Sequence, residues 1–252
     1  MARTQALAME LVNSAPDVIV VNTPPGLAAL CQATSTIPIV FAQVTDVSES
    51  GVANPAHPQG NITGFAHFYT YELSGKWLGL LKEIAPAVTG VFLLQNPAHP
   101  SWSGYVSSMK AAALAVGVQV HPAPVQAPRD IERVFDSIAS VSNAGLVVPP
   151  DTFTVVHRDR VIALANHRRL PAIYGARFWP AAGGLMSYGA DVVELVRLTA
   201  TYVDRILRGA KPKELPLQSS SKFNLVINLQ TARALDLTVP PMLLARADEV
   251  IE

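Results

Sequence analysis

The sequence predicts an α/β protein built from two doubly wound parallel-sheet lobes, and three observations carry that expectation. Short, continuous apolar runs alternate with helical stretches along the chain, the pattern of strands buried on both faces of a parallel sheet. One strand–helix–strand pattern occurs twice. Half of the 252 residues are hydrophobic and 15% are charged, which is ample for two cores.

Residues 3–14 read as a helix. Residues 17–21 (DVIVV) form a β-branched strand that ends in Asn22-Thr23-Pro24-Pro25, and a helical stretch runs on to Thr34. Residues 37–44 (IPIVFAQV) are the next strand. Between 72 and 84, apolar residues fall at Leu73, Trp77, Leu80, Leu81 and Ile84, the three-and-four spacing of a one-sided helix. The run 90–95 (GVFLLQ) is a strand ending in Asn96-Pro97, followed by a helix over 102–116, a short strand over 117–121 and a helix over 130–140. Residues 145–148 form a strand closed by Pro149-Pro150-Asp151. A helix through His167 then leads to the strand 171–174. The helix 192–207 stops at Gly209, with Lys211 and Pro212 beyond it.

The repeated pattern is DVIVVNTPP, a helix, then IPIVF, against AGLVVPPD, a helix, then LPAIY. Each second strand opens on an aliphatic residue and a proline, whose missing N–H falls outside the ladder. Set side by side, the halves differ. The second carries strand, helix, strand and helix ahead of its echo segment, and the first carries one helix. The comparison therefore predicts a first lobe without its leading βαβ unit, a unit of about 30 residues or more. It also predicts an unpaired edge at strand 17–21 that invites a non-native dimer.

Composition excludes several classes. Nineteen basic and nineteen acidic residues balance, and no basic block offers a footprint for nucleic acid. The apolar runs are far too short to span a bilayer. Met1 to Gln5 carry no export-signal pattern. A single cysteine, Cys31, precludes an internal disulfide.

Ligands of open parallel sheets sit outside the carboxyl ends of the strands. The loops there hold Thr23 and Pro24, Thr45 and Asp46, Asn96, Asp151, and Tyr174 with Phe178. Such hydroxyls, an amide, carboxylates and rings suit a small polar solute with a flat or apolar part. Helix capping is the competing role for Asp46 and Asp151, and packing for Tyr174 and Phe178. Catalytic constellations are scarce: there is no phosphate-binding glycine loop and no Gly-x-Ser-x-Gly elbow, and the six histidines are scattered. No catalytic residue, metal or cofactor is therefore expected.

Several segments resemble a known family. They are PDVIVVNTPPGLAAL from Pro16, TSTIPIVFAQVTD from Thr34, GNITGF from Gly60 and ELSGKWLGLLKEIAP from Glu72. RLPAIYGARFWPAAGGLMSYG from Arg169 and LTVPPMLLARADEVIE from Leu237 complete the set. Together they are similar to the ABC-transporter substrate-binding proteins that include the tryptophan/tyrosine-type receptors, with the type I periplasmic-binding-protein fold. The resemblance implies a non-enzymatic, periplasmic or otherwise extracytoplasmic receptor of an ABC importer. Its partners would be a small solute, such as an aromatic or branched amino acid bound in an interlobe cleft, and the membrane permease and ATPase. It also implies that Thr23 and Thr45 hold a ligand's charged groups, with Asp46 facing an ammonium and second-lobe loops closing over it. Members begin with an export signal and a first βαβ unit, the deficit that the two halves predict. The expected lobes are 1–64 plus 185–211 and 65–184 plus 212–252, with hinges near Thr63-Gly64, Gly183-Gly184 and Pro212. Two alternatives stay open. An α/β enzyme such as a lyase needs a nucleophile, base or metal site; a regulator's ligand-sensing domain needs a DNA-binding helix-turn-helix ahead of the core.

Overall fold

The computed structural model describes residues 2–44, 60–66, 70–99, 101–219 and 222–252. The chain divides into two compact units, residues 1–69 with 190–222 and residues 70–189 with 223–252.

In the first unit, helix α1 (Ala2–Asn13) leads to strand β1 (Ile19–Val21), helix α2 (Pro24–Ala33), strand β2 (Ile39–Val44) and strand β3 (Ile62–Ala66). Four parallel strands lie in the order β1, β2, β3 and β9 (Gln218–Ser219). Strand alternation divides the side chains between two layers. Ile39, Phe41, Ile62 and Ala66 pack with Ala8 of α1 and with Leu27 and Leu30 of α2. Val40 and Phe65 point the other way, onto Leu195, Tyr202 and Ile206. Gly64 pairs with Phe41 inside β3, and a Cβ there would lie 2.1 Å from the Phe41 carbonyl oxygen, so only glycine fits.

The second unit opens on a 3-10 turn (Thr70–Leu73) and helix α3 (Ser74–Ile84). It continues through β4 (Gly90–Gln95), α4 (Trp102–Val116), β5 (Gln119–Pro124), α5 (Pro128–Ile138) and β6 (Ala144–Val148). Then come α6 (Thr152–Val156), α7 (Arg158–His167), β7 (Ala172–Tyr174), α8 (Phe178–Ala181) and β8 (Met186–Ala190). Helix α9 (Val192–Leu207), which supplies Leu195, Tyr202 and Ile206, belongs to the first unit, as does the 3-10 turn Pro212–Glu214 before β9. The chain ends in the second unit with β10 (Phe223–Asn228), α10 (Leu229–Ala234), α11 (Pro241–Leu244) and β11 (Glu249–Ile251). Its seven strands run in the order β11, β10, β8, β7, β6, β4, β5. Val91, Leu93, Val147 and Ile173 face a layer with Trp77, Leu81, Tyr105 and Met109 of α3 and α4. Phe92, Leu94, Leu146 and Val148 face Ile131, Phe135, Val161 and Ile162 of α5 and α7. Both sheets are thus covered on both faces, the doubly wound arrangement that the sequence predicts.

The unit boundaries fall later than the expected lobe boundaries. Thr63 and Gly64 sit within β3, which stays in the first sheet through Ala66. The expected first-lobe segment 185–211 begins with β8, and β8 instead pairs with β7 of the second sheet. Residues beyond Pro212, expected in the second lobe, return to the first sheet through β9, where Thr63 Oγ1 donates to the Leu215 carbonyl at 2.7 Å. The physical reason is backbone pairing: β3 continues past Gly64, β8 pairs with β7 beyond Gly183-Gly184, and β9 pairs with β3 beyond Pro212.

Candidate ligand-binding site

Among the described residues, those expected at the site lie at or just after the carboxyl ends of the strands, where the chain turns toward helices. Thr23 caps α2: its Oγ1 accepts from the Gly26 N–H at 3.3 Å, and Pro24 follows at the first helical position. Thr45 and Asp46 lie outside the described residues. Asn96 holds the β4–α4 turn, its Oδ1 accepting from the Ala98 N–H at 2.9 Å, while His99 N–H donates to the Asn96 carbonyl at 3.0 Å. Asp151, 5% exposed, caps α6 by accepting from the Thr154 N–H at 2.9 Å. It is the only carboxylate or cation among the described buried residues.

Tyr174 and Phe178 come together through a residue not singled out from sequence. The Tyr174 ring stacks on Trp179 at 4.6 Å between centroids and 12° between planes, and Phe178 stacks on the same indole at 6.1 Å. Phe178 is partly exposed, whereas Tyr174 is fully buried and its hydroxyl has no hydrogen-bond partner. Burial pushes the Tyr174 phenol well above the ordinary tyrosine range, so it stays neutral. The loops after β6 and β7 meet at Pro150 and Gly175; a Cβ on Gly175 would lie 2.5 Å from Pro150 Cδ. Gly189 of β8 closes on the same point, with room for no side chain against the Gly175 carbonyl. The structure therefore gathers Asp151, Tyr174 and Phe178 on one loop cluster.

A second group at this edge was not anticipated. Gln95, the last residue of β4, is fully buried, and neither atom of its carboxamide has a partner. Ser74, first residue of α3, is equally buried with an unpartnered Oγ. Both belong to the α3–α4 face. Gln95 shares the parity of Val91 and Leu93, and Ser74 lies three and four residues before Trp77 and Leu78. This mainly aliphatic layer holds two buried rings: Trp77 and Tyr105 lie 5.7 Å apart, and Tyr71 meets Tyr105 edge-on at 6.4 Å. Trp77 Nε1 already donates to the Tyr188 carbonyl at 2.7 Å. The Tyr188 ring stacks on Phe223 at 5.9 Å, and the Lys76 ammonium sits 5.6 Å from its centroid. Burial, then the Asp248 carboxylate, raises the Tyr188 phenol. A glutamine at an inward position of an otherwise apolar strand was the signal that sequence reading could have used.

Cavities also lie at the opposite edge. One of about 470 Å³ is lined by Val88, Asn143, Ala144, Arg168 and Leu170, ahead of β4, β6 and β7. Its guanidinium groups are already paired, Arg168 with Asp136 at 2.6 Å and Arg169 with Asp236. Unmade hydrogen bonds in the second unit lie instead toward the carboxyl edge, which favours that edge for a ligand. Among the described residues, no group of three or more His, Cys, Asp or Glu side chains could hold a metal, and no helix is long and apolar enough to cross a membrane.

Doubly wound parallel sheets receive ligands at the carboxyl ends of their strands, and this chain gathers polar and aromatic groups there. The chain belongs to the family of ABC transporter substrate binding proteins, whose model matches residues 2–251. A curated relative, the tyrosine-binding protein of Clostridioides difficile (strain R20291), is 24% identical over 238 residues, 94% of this chain and 68% of that protein. A conserved domain protein from Vibrio cholerae is 30% identical, with a TM-score of 0.88 over 99% of this chain and 83% of that one. An ABC domain from Streptococcus pneumonia, solved in complex with L-Trp, is 25% identical, with a TM-score of 0.89 over 99% of this chain and 84% of that one.

Proposed function

We propose that this chain is the solute receptor of an ABC importer, that it works outside the cytoplasmic membrane, and that its solute is an aromatic amino acid. The observation that carries the reading is the coincidence of two findings. The tyrosine-binding relative and the L-Trp complex both align over nearly the whole chain, and here the strand ends offer polar groups beside stacked rings. Rings supply contact area for a flat solute, while hydroxyl, amide and carboxylate groups orient its polar end. Thr23, Pro24, Thr45 and Asp46 in the first unit, and Asn96, Asp151, Tyr174 and Phe178 in the second, are the candidate contacts. The receptor's task is reversible binding, with permease and ATPase as the partners that consume the bound form.

Calorimetric titration with L-Trp, L-Tyr, L-Phe, L-Leu, adenine and an aromatic acid tests this reading. Saturable binding of an aromatic amino acid, recovered unchanged after incubation, is the expected result. At 100 times its Kd the solute should stabilise the fold by about 2.7 kcal/mol, visible as a rise in Tm. Binding of adenine or the aromatic acid alone would reassign the solute, and conversion of the solute would make the protein an enzyme.

A further inference from the structure

We infer that Gln95, seconded by Ser74, is a specificity-determining residue of the second unit, and that it reads a hydrogen-bond donor on the ring of an aromatic solute. The inference rests on the receptor reading above. The carboxamide presents two N–H donors and a carbonyl acceptor, and all are shut away from solvent without a partner. Native proteins seldom leave both ends of a buried amide unmade, because each unmade bond forfeits its hydration without return. Ser74, at the start of α3, repeats the anomaly.

The surroundings select what would satisfy them. The layer holds Trp77 and Tyr105 with Leu78, Leu81, Leu93 and Met109, and its buried residues include no carboxylate or cation. An apolar layer without charge is a poor host for an ammonium or a carboxylate. It suits the flat end of a solute, with rings for contact and Gln95 Oε1 to accept one N–H or O–H. Trp77 cannot supply that proton, since its indole N–H is already given to the Tyr188 carbonyl. The matching solutes carry a ring donor, an indole N–H or a phenol O–H. A benzyl ring offers Gln95 nothing. A site built around a hydrogen bond discriminates strongly against the analogue that lacks it, since its own polar group then stays unpaired. Because Gln95 and Ser74 are closed off here, solute reaches them only as this layer opens locally.

The test uses Gln95→Met, which keeps the volume and removes both polar ends, with Ser74→Ala as a milder second variant. L-Trp, L-Tyr and L-Phe are titrated into each, and the Tm of each solute-free protein is measured. Wild type should bind L-Trp or L-Tyr at least about 10-fold more tightly than L-Phe. Gln95→Met should reduce that preference by about 10-fold, through weaker binding of the ring donors, and raise the solute-free Tm by about 2–4 °C. Ser74→Ala should move both readouts the same way and less. An unchanged preference ratio, or a solute-free Tm that falls, would overturn the inference and leave Gln95 a structural residue bonded through ordered water; the receptor reading would stand. Failure of all three amino acids to bind to wild type would overturn both.

Discussion

Two sets of polar side chains stand on or beside the strands, and they differ in one respect. Thr23, Asn96 and Asp151 each accept a backbone N–H within a few residues of themselves. Gln95, Ser74, Tyr174 and Ser187 are buried with no partner. The first set spends its oxygens locally, Thr23 and Asp151 on starting helices and Asn96 on the turn after β4. The second set has lost its water and made no internal bond in return. The contrast separates residues that build the frame from residues whose bonding is incomplete without something else.

Asp151 offers the largest test of that division. Its carboxylate is buried and hydrogen-bonded to the first turn of α6, so Asp151→Ala should cost about 2 kcal/mol of stability, the upper end for an N-cap. In a chain of this size that is a fall in Tm of about 4–8 °C. Asp151→Asn should recover most of it, since an amide oxygen caps as well. If thermal unfolding hardly changes while affinity for the solute drops more than 10-fold, Asp151 belongs with the second set and the division fails.

Thr23 should show a smaller version of the same behaviour. Its cap bond is longer and its side chain partly exposed, so Thr23→Ala should cost about 0.5–1 kcal/mol. Thr23→Ser keeps the hydroxyl and should restore the loss. Chemical denaturation midpoints of the two variants measure this directly. A solute contact would instead appear as lost affinity at unchanged midpoint.

What sequence made legible follows the same physics. Strand runs such as 90–95 and the helices 102–116 and 192–207 match the observed elements because periodicity and stop signals are local. Of the second set, sequence singles out Tyr174 alone; the inward glutamine at 95 is a signal, but the missing hydrogen bonds belong to the packed layer and not to any single residue. Strands β3, β8 and β10 escaped for a related reason. The run ITGFA carries a glycine that only its approach to Phe41 explains, and MSYGA carries one that only the Gly175 carbonyl explains. In β10, FNLVIN lies beside β8 and β11, and its place there is set by packing in the sheet rather than by the run itself. Tyr174 was noticed as a ring at a strand end, yet its stacking on Trp179 comes from the turn between them.

The smallest expected effect, and the most informative about the second set, belongs to the Tyr174 hydroxyl. Because that oxygen is buried without a partner, Tyr174→Phe should change stability at pH 7 by less than about 1 kcal/mol, in the stabilising direction. The ring keeps its stack on Trp179, so packing is retained. Alkaline pH provides the sharper reading. Burial raises the folded-state phenol above its ordinary value, so the folded protein holds this proton where the unfolded chain releases it. The associated stability is complete below about pH 10, the unfolded value, and is lost as pH rises through and beyond it. Tyr188 and Tyr202, raised chiefly by burial as well, act in the same direction. Urea unfolding at pH 7 and at steps above pH 9 should therefore show wild type losing stability more steeply than Tyr174→Phe. A variant destabilised by more than about 1 kcal/mol at pH 7 would mean that the hydroxyl holds a bond in solution. That outcome would move Tyr174 to the first set. A variant unchanged in stability but weakened in solute affinity would mark the hydroxyl as a solute contact, leaving Trp179 and Phe178 as the wall beside it.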